Sequence, residues 1–553
     1  MIFSIGLKQM KKLLIALLVI FPSFHSAFAF KPVIENEKTY TTLDGEFMVH
    51  YTLEGNDALR KTTDMEPANG IPDVVDYAIK GFYRIKELYI DKEGWMKWLP
   101  DEDGILDLYF VNISRQMNAA GYTTIEGIPG GTFAPYVVLT TYLDNYFAEE
   151  AAAHELHHAI QLSYNPYLDP WIYEAQSSHA EYRLYGDDLG VQPRVEAAWQ
   201  ERLSHPEYSL DTANGYFEYT GFVWMKYLID RNGGDMSVLI ALWEDMASEA
   251  IVYDGHNKFF ERMGLGSFEE EFATYTEFNI FACGEPSGYH YLDTPPRCTN
   301  SFTTVAYEDV TSYPKEITSG TIEPLGATYL RLEPTCDAAS FSVSFSSVDS
   351  TDWKWGIRVV AVPLDDTPPF SEQFFFLPDD AELTFTIENQ ANYAEIFLIA
   401  QNLSRTKFKK GFFNIEPQGA LGDGASAEPG RIIVGPTEEW YQLSPGDTVK
   451  FAAIGAWGNC KYYPDYTQKV EWFSSNERAA SPVGNGIFEI LDYGEAEIWA
   501  EYDELKSAPY KLTVTNPNSA EPEEDDSDAG SRAAADAGKD ATPSSDSCSC
   551  RAR

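Results

Sequence analysis

The chain has 553 residues, more than a single hydrophobic core usually serves, so we expect two to four domains. Hydrophobic residues make up 44% of the chain, which is enough apolar material to fold most of its length. The formal net charge of −46 argues against nucleic acid as a partner, because phosphate binding needs clustered Lys and Arg. The acidic excess favours a solvated surface over an acidic binding face.

The N-terminus has the pattern of a secretory signal peptide. Two lysines precede an apolar run at residues 13–21, and A-F-A at residues 27–29 supplies a small-x-small cleavage site. The run is too short to span a bilayer comfortably. We therefore predict a signal peptide at residues 1–29 and a mature chain that begins at Phe30. No later segment is apolar enough to cross a membrane, so we expect an exported protein, soluble or tethered to the cell surface.

Six cysteines fit an oxidising compartment. Cys283 and Cys298 bracket a short loop rich in Gly, Pro and Tyr, and they are the predicted disulfide pair. Cys336 and Cys460 fall in different predicted domains, so we do not pair them.

Residues 30–300 mix the periods of helices and strands, as an α+β domain of catalytic size would. β-Branched and aromatic residues predict strands at residues 104–111 and 136–143. Helical periods and their start signals predict helices at residues 73–89, 146–163 and 216–231.

The helical signal disappears after about residue 300. Residues 301–417 form short alternating runs separated by Pro, Asp and Gly turns, which is the pattern of a β-sandwich. A linker rich in Gly, Ala and Pro follows at residues 418–430. Clear strand-like runs lie at residues 340–345, 357–362 and 382–387.

Residues 431–515 form a second β module. It contains, in order, I-V-G-P (433–436), L-S-P-G-D-T (443–448), V-E-W-F-S-S-N (470–476), G-E-A-E-I-W-A (494–500) and Y-K-L-T-V (510–514). This order is similar to a bacterial Ig-like domain of group 2, and the resemblance implies a spacer or adhesive module rather than a catalytic one.

The C-terminal tail at residues 516–553 is acidic and almost without apolar residues, so we expect it to be disordered. Its end, C-S-C-R-A-R at residues 548–553, resembles the Cys-containing sorting tails of myxobacterial exported proteins. The resemblance implies attachment to the cell surface through the tail. Two unpaired thiols without a role are the alternative.

The strongest chemical signal is H-E-L-H-H at residues 154–158, which fits H-E-x-x-H. On an α-helix His154 and His158 project from one face and can share one Zn²⁺ through imidazole nitrogens. Glu155 is one residue along, so its carboxylate can reach a water bound to the metal rather than the metal itself. Glu155 would then take a proton from that water as general base.

The surroundings of the motif favour a helix. Asp144 or Asn145 can cap it, and acidic residues lie in its first turn. Three alanines at residues 151–153 make a narrow surface that lets a neighbouring element approach. The strand predicted at residues 136–143 comes just before the helix, where zinc peptidases commonly keep the edge strand that pairs with extended substrate.

The third ligand decides the subclass. The metzincin extension needs Gly and His where this chain has Gln161 and Tyr164, which excludes that subclass. Residues 171–182 read W-I-Y-E-A-Q-S-S-H-A-E-Y, which is similar to the W-x-x-E-(G/A)-x-(A/S)-x-x-x-E segment of gluzincin peptidases. The resemblance implies that Glu174 is the third zinc ligand. Glu181, two helical turns further on the same face, is either an outer acceptor for a His N–H or the alternative ligand.

Other carboxylates stay open as ligands, because Asp169 or Asp187 in that role would indicate a different peptidase subclass. His157 points about 100° away from His158, so we interpret it as a packing or surface residue. His179 is off the Glu174 face, and we interpret it as structural. Tyr216 and Tyr219 are candidate donors to the oxyanion of a tetrahedral intermediate, although core positions are the commoner use of the 34 tyrosines in this chain.

Residues 153–181, together with residues 69–73 and 107–111, resemble a family of secreted metalloproteases known mainly from myxobacteria and their relatives. The resemblance spans about residues 40–300. It implies a zincin-like catalytic domain at residues 30–300, followed by two all-β modules and the acidic tail. The function predicted on these grounds is a secreted zinc-dependent endopeptidase that acts on protein or peptide substrates.

Two other functions stay open. The first is a non-catalytic adhesion or surface protein with a structural or vestigial zinc site, which the β modules and the acidic surface would suit. The intact Glu155 speaks against it, because a structural site needs no such carboxylate. The second is a zinc hydrolase that acts on something other than peptides.

Overall fold

The computed structural model describes residues 30–113, 119–128, 132–186, 192–282, 291, 305–348, 354–364, 369–376, 382–421, 428–438, 440, 442–458, 460 and 464–517. These residues belong to two compact units. Among these residues, the first unit covers 30–430 together with 456–458 and Cys460, and the second covers 431–455 and 464–517. The predicted signal peptide, the pair Cys283 and Cys298, and the tail from residue 518 lie outside the described residues.

A mixed sheet forms the N-terminal part of the first unit, with the strand order β1-β2-β3-β5-β4. Strands β2, β3 and β5 run parallel, and β1 and β4 are antiparallel to their neighbours at the two edges. Strand β3 is buried at almost every position, as a strand covered on both faces must be. The strands are β1 (Lys38–Thr41), β2 (Phe47–Tyr51), β3 (Leu106–Val111), β4 (Gly121–Ile128) and β5 (Thr132–Thr140).

One helix of the first unit lies between strands β2 and β3 along the chain, and the others follow the sheet between residues 145 and 280. A π-helical turn (Lys86–Lys92) extends the first helix, and a 3₁₀ helix (Phe217–Gly221) precedes the fifth. The α-helices are α1 (Asp73–Ile85), α2 (Asn145–Tyr164), α3 (Pro170–Tyr185), α4 (Gln192–Ser204), α5 (Phe222–Arg231), α6 (Ser237–Met246), α7 (Val252–Met263) and α8 (Phe268–Ile280).

Helix α2 is capped by Asp144, as the sequence predicts, but its first turn holds no acidic residue, contrary to expectation. The side chain of Asp144 accepts a hydrogen bond from the backbone N–H of Phe147, which satisfies one of the free donors at the helix start. The small residues of its first half let helix α1 approach closely. A Cβ added at Gly81 would lie 2.0 Å from the carbonyl oxygen of Glu149, so any larger residue there would push the two helices apart.

A β-sandwich completes the first unit. Its two sheets have the strand orders β11-β10-β13-β8-β6 and β12-β9-β14-β7, and their inner faces enclose a core that includes Phe345, Ile357 and Leu398. The strands are β6 (Glu308–Val310), β7 (Lys315–Ile322), β8 (Ala327–Leu332), β9 (Ser340–Ser347), β10 (Trp355–Pro363), β11 (Phe370–Phe376), β12 (Leu383–Ile387), β13 (Tyr393–Asn402) and β14 (Lys409–Gln418).

The sandwich shares a second core with the helices. Tyr329 and Ile399 belong to the same buried cluster as the residues of the helices. The hydroxyl of Tyr329 donates to the backbone carbonyl of Thr276 in α8 at 2.9 Å, and the Gln401 amide donates to the Thr276 hydroxyl at 2.7 Å. The outer face of one sheet is therefore buried against α8.

The second unit is all β. Its sheets have the orders β15-β16-β19-β18 and β17-β20-β21, and β22 also pairs with β20. Val449, Phe488 and Ile498 lie in the core that the sheets enclose. The strands are β15 (Arg431–Pro436), β16 (Thr448–Ala456), β17 (Glu471–Ser474), β18 (Ala480–Gly484), β19 (Ile487–Ile490), β20 (Gly494–Tyr502), β21 (Leu505–Lys506) and β22 (Tyr510–Val514).

The mixed α+β architecture with several sheets confirms the coarse fold class. The predicted helices differ in detail: the one at residues 73–89 changes to π-helical geometry after Ile85, and the one at residues 216–231 begins with a 3₁₀ turn. The three strand-like runs predicted in the sandwich are confirmed as parts of β9, β10 and β12. None of the described helices is long and apolar enough to cross a membrane.

Two further expectations were wrong. The strand before helix α2 is not an edge strand, since β5 lies between β3 and β4, and the edge belongs to β4. Cys336 and Cys460, which the sequence analysis left unpaired, form a disulfide. Cys460 groups with the first unit, which contains Cys336, although residues 431–455 belong to the second unit.

Candidate metal centre

Two helices bring three potential metal ligands together. Helix α2 presents His154 and His158 on one face, one turn apart, with their ring centroids 4.6 Å from each other. Helix α3 presents Glu174 from its first turns. The connection between the helices covers only residues 165–169, and Pro170 can begin α3 because a missing N–H costs nothing in the first turn.

The ligand atoms lie close to one another. Nε2 of His154 is 3.1 Å from Oε2 of Glu174, and Nε2 of His158 is 3.6 Å from the same oxygen. One nitrogen or oxygen from each of the three residues lies within 4.8 Å of the others. All three residues are almost completely buried.

Two atoms of this group have no hydrogen-bond partner in the described part of the chain. They are Nε2 of His158 and Oε1 of Glu174, both buried. A buried polar atom without a partner costs free energy, so such atoms normally contact a hydrogen-bonding group, a water molecule or an ion. A cation bound by the three side chains would satisfy both. The residues present therefore fit a metal ion.

The electrostatics keep Glu174 ionised, as a ligand carboxylate must be. Burial by itself would raise the pKa of Glu174, but the neighbouring His158 and the hydrogen bond with His154 outweigh it and hold the pKa at about 2.

His154 has a carboxylate on each side. Its Nδ1 lies 2.5 Å from Oε1 of Glu181, and its Nε2 faces Glu174. Burial would lower the pKa of His154, but the two carboxylates raise it well above its usual value. Glu181 therefore contacts the far side of the imidazole and not the group of ligand atoms, which corresponds to the first of the two roles that the sequence left open for it.

Glu155 lies beside the ligands and is held from the sheet. Its Oε2 lies 2.8 Å from the hydroxyl of Thr123, which is on the edge strand β4. Burial raises the pKa of Glu155, and the charges of His158 and His154 oppose this rise. A carboxylate with a raised pKa next to a group of metal ligands is a candidate general base.

Of the two predicted oxyanion donors, Tyr219 is the one whose ring lies beside His154, with the centroids 6.2 Å apart. Tyr219 belongs to the 3₁₀ helix, which packs tightly on α3. A Cβ added at Gly221 would lie 2.8 Å from Cβ of Ala175, the residue after Glu174. Tyr216 precedes this helix, and burial raises the pKa of its hydroxyl to about 12.

The remaining predicted residues have other places. His157 is fully buried and its ring meets that of Tyr89 edge to face, which confirms a packing role. His179 is also buried, and burial lowers its pKa well below the usual value. Asp169 is the residue before helix α3 and is not part of the ligand group. Asp187 lies outside the described residues.

Three residues around the centre were missed by the sequence analysis. Thr123 contacts Glu155, and Gln161 and Ser177 contact Nδ1 of His158 at 2.8 and 3.1 Å. Gln161 follows His158 by three residues on the same helix, so helical spacing could have indicated it. Thr123 lies on a strand, and no local signal joins it to the helix.

Comparison with protein-family models finds no match for this chain, and comparison with curated proteins finds none either. The buried group of His154, His158 and Glu174 could hold a metal ion, and its geometry is the finding on which any functional conclusion depends.

Proposed function

We propose that this chain is a secreted zinc-dependent endopeptidase of the gluzincin type. His154, His158 and Glu174 would hold the ion, and Glu155 would be the general base. The observation that carries the proposal is the buried group of three ligand atoms with a second, separately held carboxylate beside it.

The spacing of the ligand atoms supports zinc. Nitrogen and oxygen ligands lie about 2.0–2.2 Å from a tetrahedral Zn²⁺, which places them roughly 3.4 Å from each other. The distances of 3.1 and 3.6 Å from Glu174 to the two histidines lie on either side of this value. Three protein ligands leave the fourth tetrahedral position for solvent or substrate, as in catalytic rather than structural zinc sites.

The chemistry divides between the ion and the chain. A bound zinc ion supplies Lewis-acid chemistry, which polarises a peptide carbonyl and makes water more acidic. The Glu155 carboxylate accepts the proton of the attacking water at its carboxylate oxygen and can return it to the leaving amine. Tyr219, whose ring lies beside His154, is our candidate for donating a hydrogen bond to the developing oxyanion.

The other parts of the chain fit an exported enzyme. The proposal places a zincin-like catalytic domain at residues 30–300, a sandwich at residues 301–417 and a group 2 Ig-like module at residues 431–515. Export would follow from the signal peptide, and attachment to the cell surface from the tail. The described disulfide between Cys336 and Cys460 is compatible with an oxidising compartment.

The test uses the mature chain from Phe30 onward. Bound metal is removed with a chelator, and hydrolysis of an unstructured protein substrate is measured before removal, after removal and after addition of one equivalent of Zn²⁺. We expect hydrolysis to disappear on removal and to return with zinc. Zinc that binds stoichiometrically without any hydrolysis would contradict the proposal and favour the non-catalytic alternative.

A further inference from the structure

His158 differs from His154 in what holds its far nitrogen. Nδ1 of His154 faces the carboxylate of Glu181, whereas Nδ1 of His158 lies 2.8 Å from the amide oxygen of Gln161. We propose that Gln161 is a positioning residue that fixes the tautomer and orientation of His158, so that Nε2 is always the free nitrogen that faces the metal. The inference rests on the metal-binding part of the proposed function and not on its catalytic part.

The orientation of the Gln161 amide follows from its other partner. Its Nε2 lies 3.1 Å from the backbone carbonyl oxygen of Tyr173. A carbonyl oxygen can only accept, so the atom that faces it must be the NH₂ group. The amide oxygen is then the atom that faces His158. Gln161 is completely buried, so no water competes for either contact.

The tautomer of His158 follows in turn. An amide oxygen only accepts, so Nδ1 of His158 must carry the hydrogen. In a neutral imidazole the other nitrogen then has the free lone pair. That nitrogen is Nε2, which is buried, has no hydrogen-bond partner in the described part of the chain, and lies 3.6 Å from Oε2 of Glu174. A metal ligand needs this lone pair.

Ser177 closes the network. Its hydroxyl lies 3.0 Å from Nδ1 of His157, 3.1 Å from Nδ1 of His158 and 3.2 Å from the oxygen of Gln161. The hydroxyl has one hydrogen, which the Gln161 oxygen can accept. The N–H of His157 then points to the serine oxygen, and the single Nδ1–H of His158 is shared between the Gln161 and Ser177 oxygens. This assignment of donors and acceptors agrees with the tautomer that the Gln161 amide imposes on His158.

The same amide also joins two ligand-bearing helices. Gln161 is on α2, and its acceptor Tyr173 is the residue before Glu174 on α3. One side chain therefore orients His158 and ties it to the backbone that carries the third ligand. His154 depends on Glu181 instead, and this difference provides an internal control.

The experiment measures two quantities in the folded mature chain. The first is the tautomer of each ligand histidine in the metal-free protein, from the ¹⁵N chemical shifts of the imidazole rings at a pH where they are neutral. We expect His158 to carry its hydrogen on Nδ1 in the wild type. In Gln161→Leu we expect a mixture of tautomers at His158 and no change at His154. A wild-type His158 with its hydrogen on Nε2 would overturn the proposal without any variant.

The second quantity is the dissociation constant for Zn²⁺, measured by competition with a chromophoric chelator. Outer contacts to metal ligands typically contribute about 10- to 100-fold in affinity, so we expect that loss in Gln161→Leu. Gln161→Glu keeps an acceptor for His158 and should keep its tautomer, which a purely space-filling role would not predict. Gln200→Leu makes the same substitution on helix α4 and should bind zinc as the wild type does.

The outcomes separate this inference from the proposed function. Gln161→Leu with wild-type zinc affinity or wild-type tautomer at His158 overturns the inference, whether or not the chain is a peptidase. A chain that shows both expected effects but hydrolyses no substrate contradicts the proposed function and leaves the inference standing.

Discussion

The hydroxyl of Thr123 lies 2.8 Å from Oε2 of Glu155 and 2.7 Å from the backbone carbonyl oxygen of the same residue. Both residues are buried. Thr123 belongs to the edge strand β4 and Glu155 to helix α2, so this contact holds the carboxylate of the proposed general base from the sheet. A carboxylate held on one oxygen keeps the other oxygen free to face a reacting water.

We therefore expect Thr123→Val to lower kcat while zinc content stays unchanged. A hydrogen bond to a charged group contributes about 1.5–3 kcal/mol, so the loss should be roughly 10- to 100-fold if the contact acts in the transition state. Thr123→Ser keeps the hydroxyl and should stay close to wild type. Steady-state kinetics with metal analysis of each variant make the comparison, and equal rates for the Val and wild-type enzymes would contradict a positioning role.

The two carboxylates of helix α3 should behave differently. Glu174→Ala removes a ligand atom and should abolish stoichiometric zinc binding. Glu181→Ala removes only the acceptor of the His154 N–H and should weaken zinc binding about 10- to 100-fold. Glu87→Ala, the same substitution at an exposed position outside the ligand group, serves as the control. Zinc dissociation constants decide the matter, and tighter binding by Glu174→Ala than by Glu181→Ala would reverse the assignment.

The parts of this site that the sequence could indicate are local ones. His154, Glu155 and His158 follow from helical spacing, and Glu174 follows from the resemblance of residues 171–182 to the gluzincin segment. Contacts between distant segments could not be found in this way. Thr123 reaches Glu155 only because the register of β4 on β5 places it over α2, and a register depends on a whole sheet.

In the fold, too, local features could be predicted from the sequence and contacts between distant segments could not. Alternation and caps indicated helices α1, α2 and α5 and part of the strands, but the other helices and the strand order did not follow from them. The run at residues 121–128 has two glycines and weak alternation, so it was not recognised as the edge strand β4. The pairing of Cys336 with Cys460 spans 124 residues, and nothing near either cysteine indicates the other.

His256 should make the fold sensitive to acid. Burial, with a smaller contribution from the Arg405 charge, lowers the pKa of His256 to about 4. The hydrogen bond between its Nδ1 and the Val252 carbonyl oxygen opposes this shift. Because the pKa in the folded state is below that in the unfolded state, unfolded chains bind the proton first. The stabilisation is complete above about pH 6.5 and is lost as the pH falls toward 4. The pKa shift from 6.5 to about 4 corresponds to about 3 kcal/mol of stabilisation, since each pKa unit is worth about 1.36 kcal/mol.

The variant His256→Gln keeps an acceptor for the Trp224 indole N–H but does not titrate. Its free energy of unfolding should change less between pH 7 and pH 5 than that of the wild type, as measured by denaturant titration at both pH values. The same pH dependence in both proteins would show that His256 is not the source.

His50 should have the opposite dependence. Burial would lower its pKa, but Asp107 at 2.9 Å and Glu37 at 3.0 Å outweigh this and raise it. A raised pKa in the folded state gives stabilisation that is complete below about pH 6.5 and is lost as the pH rises through the folded value. Titration by NMR should place the pKa of His50 above that of a free histidine and lower it in Asp107→Asn. A wild-type value at or below 6.5 would contradict this.

The substitution Glu155→Gln tests the central claim most directly, because it removes the proposed base without touching a ligand. The wild type and the variant are purified as mature chains, their bound zinc is quantified, and both are assayed on the same unstructured protein substrate. We expect one zinc per chain in both, hydrolysis by the wild type, and a loss of at least a hundredfold in the variant. Equal hydrolysis by both proteins, or zinc in both with hydrolysis by neither, would contradict a peptidase that uses Glu155.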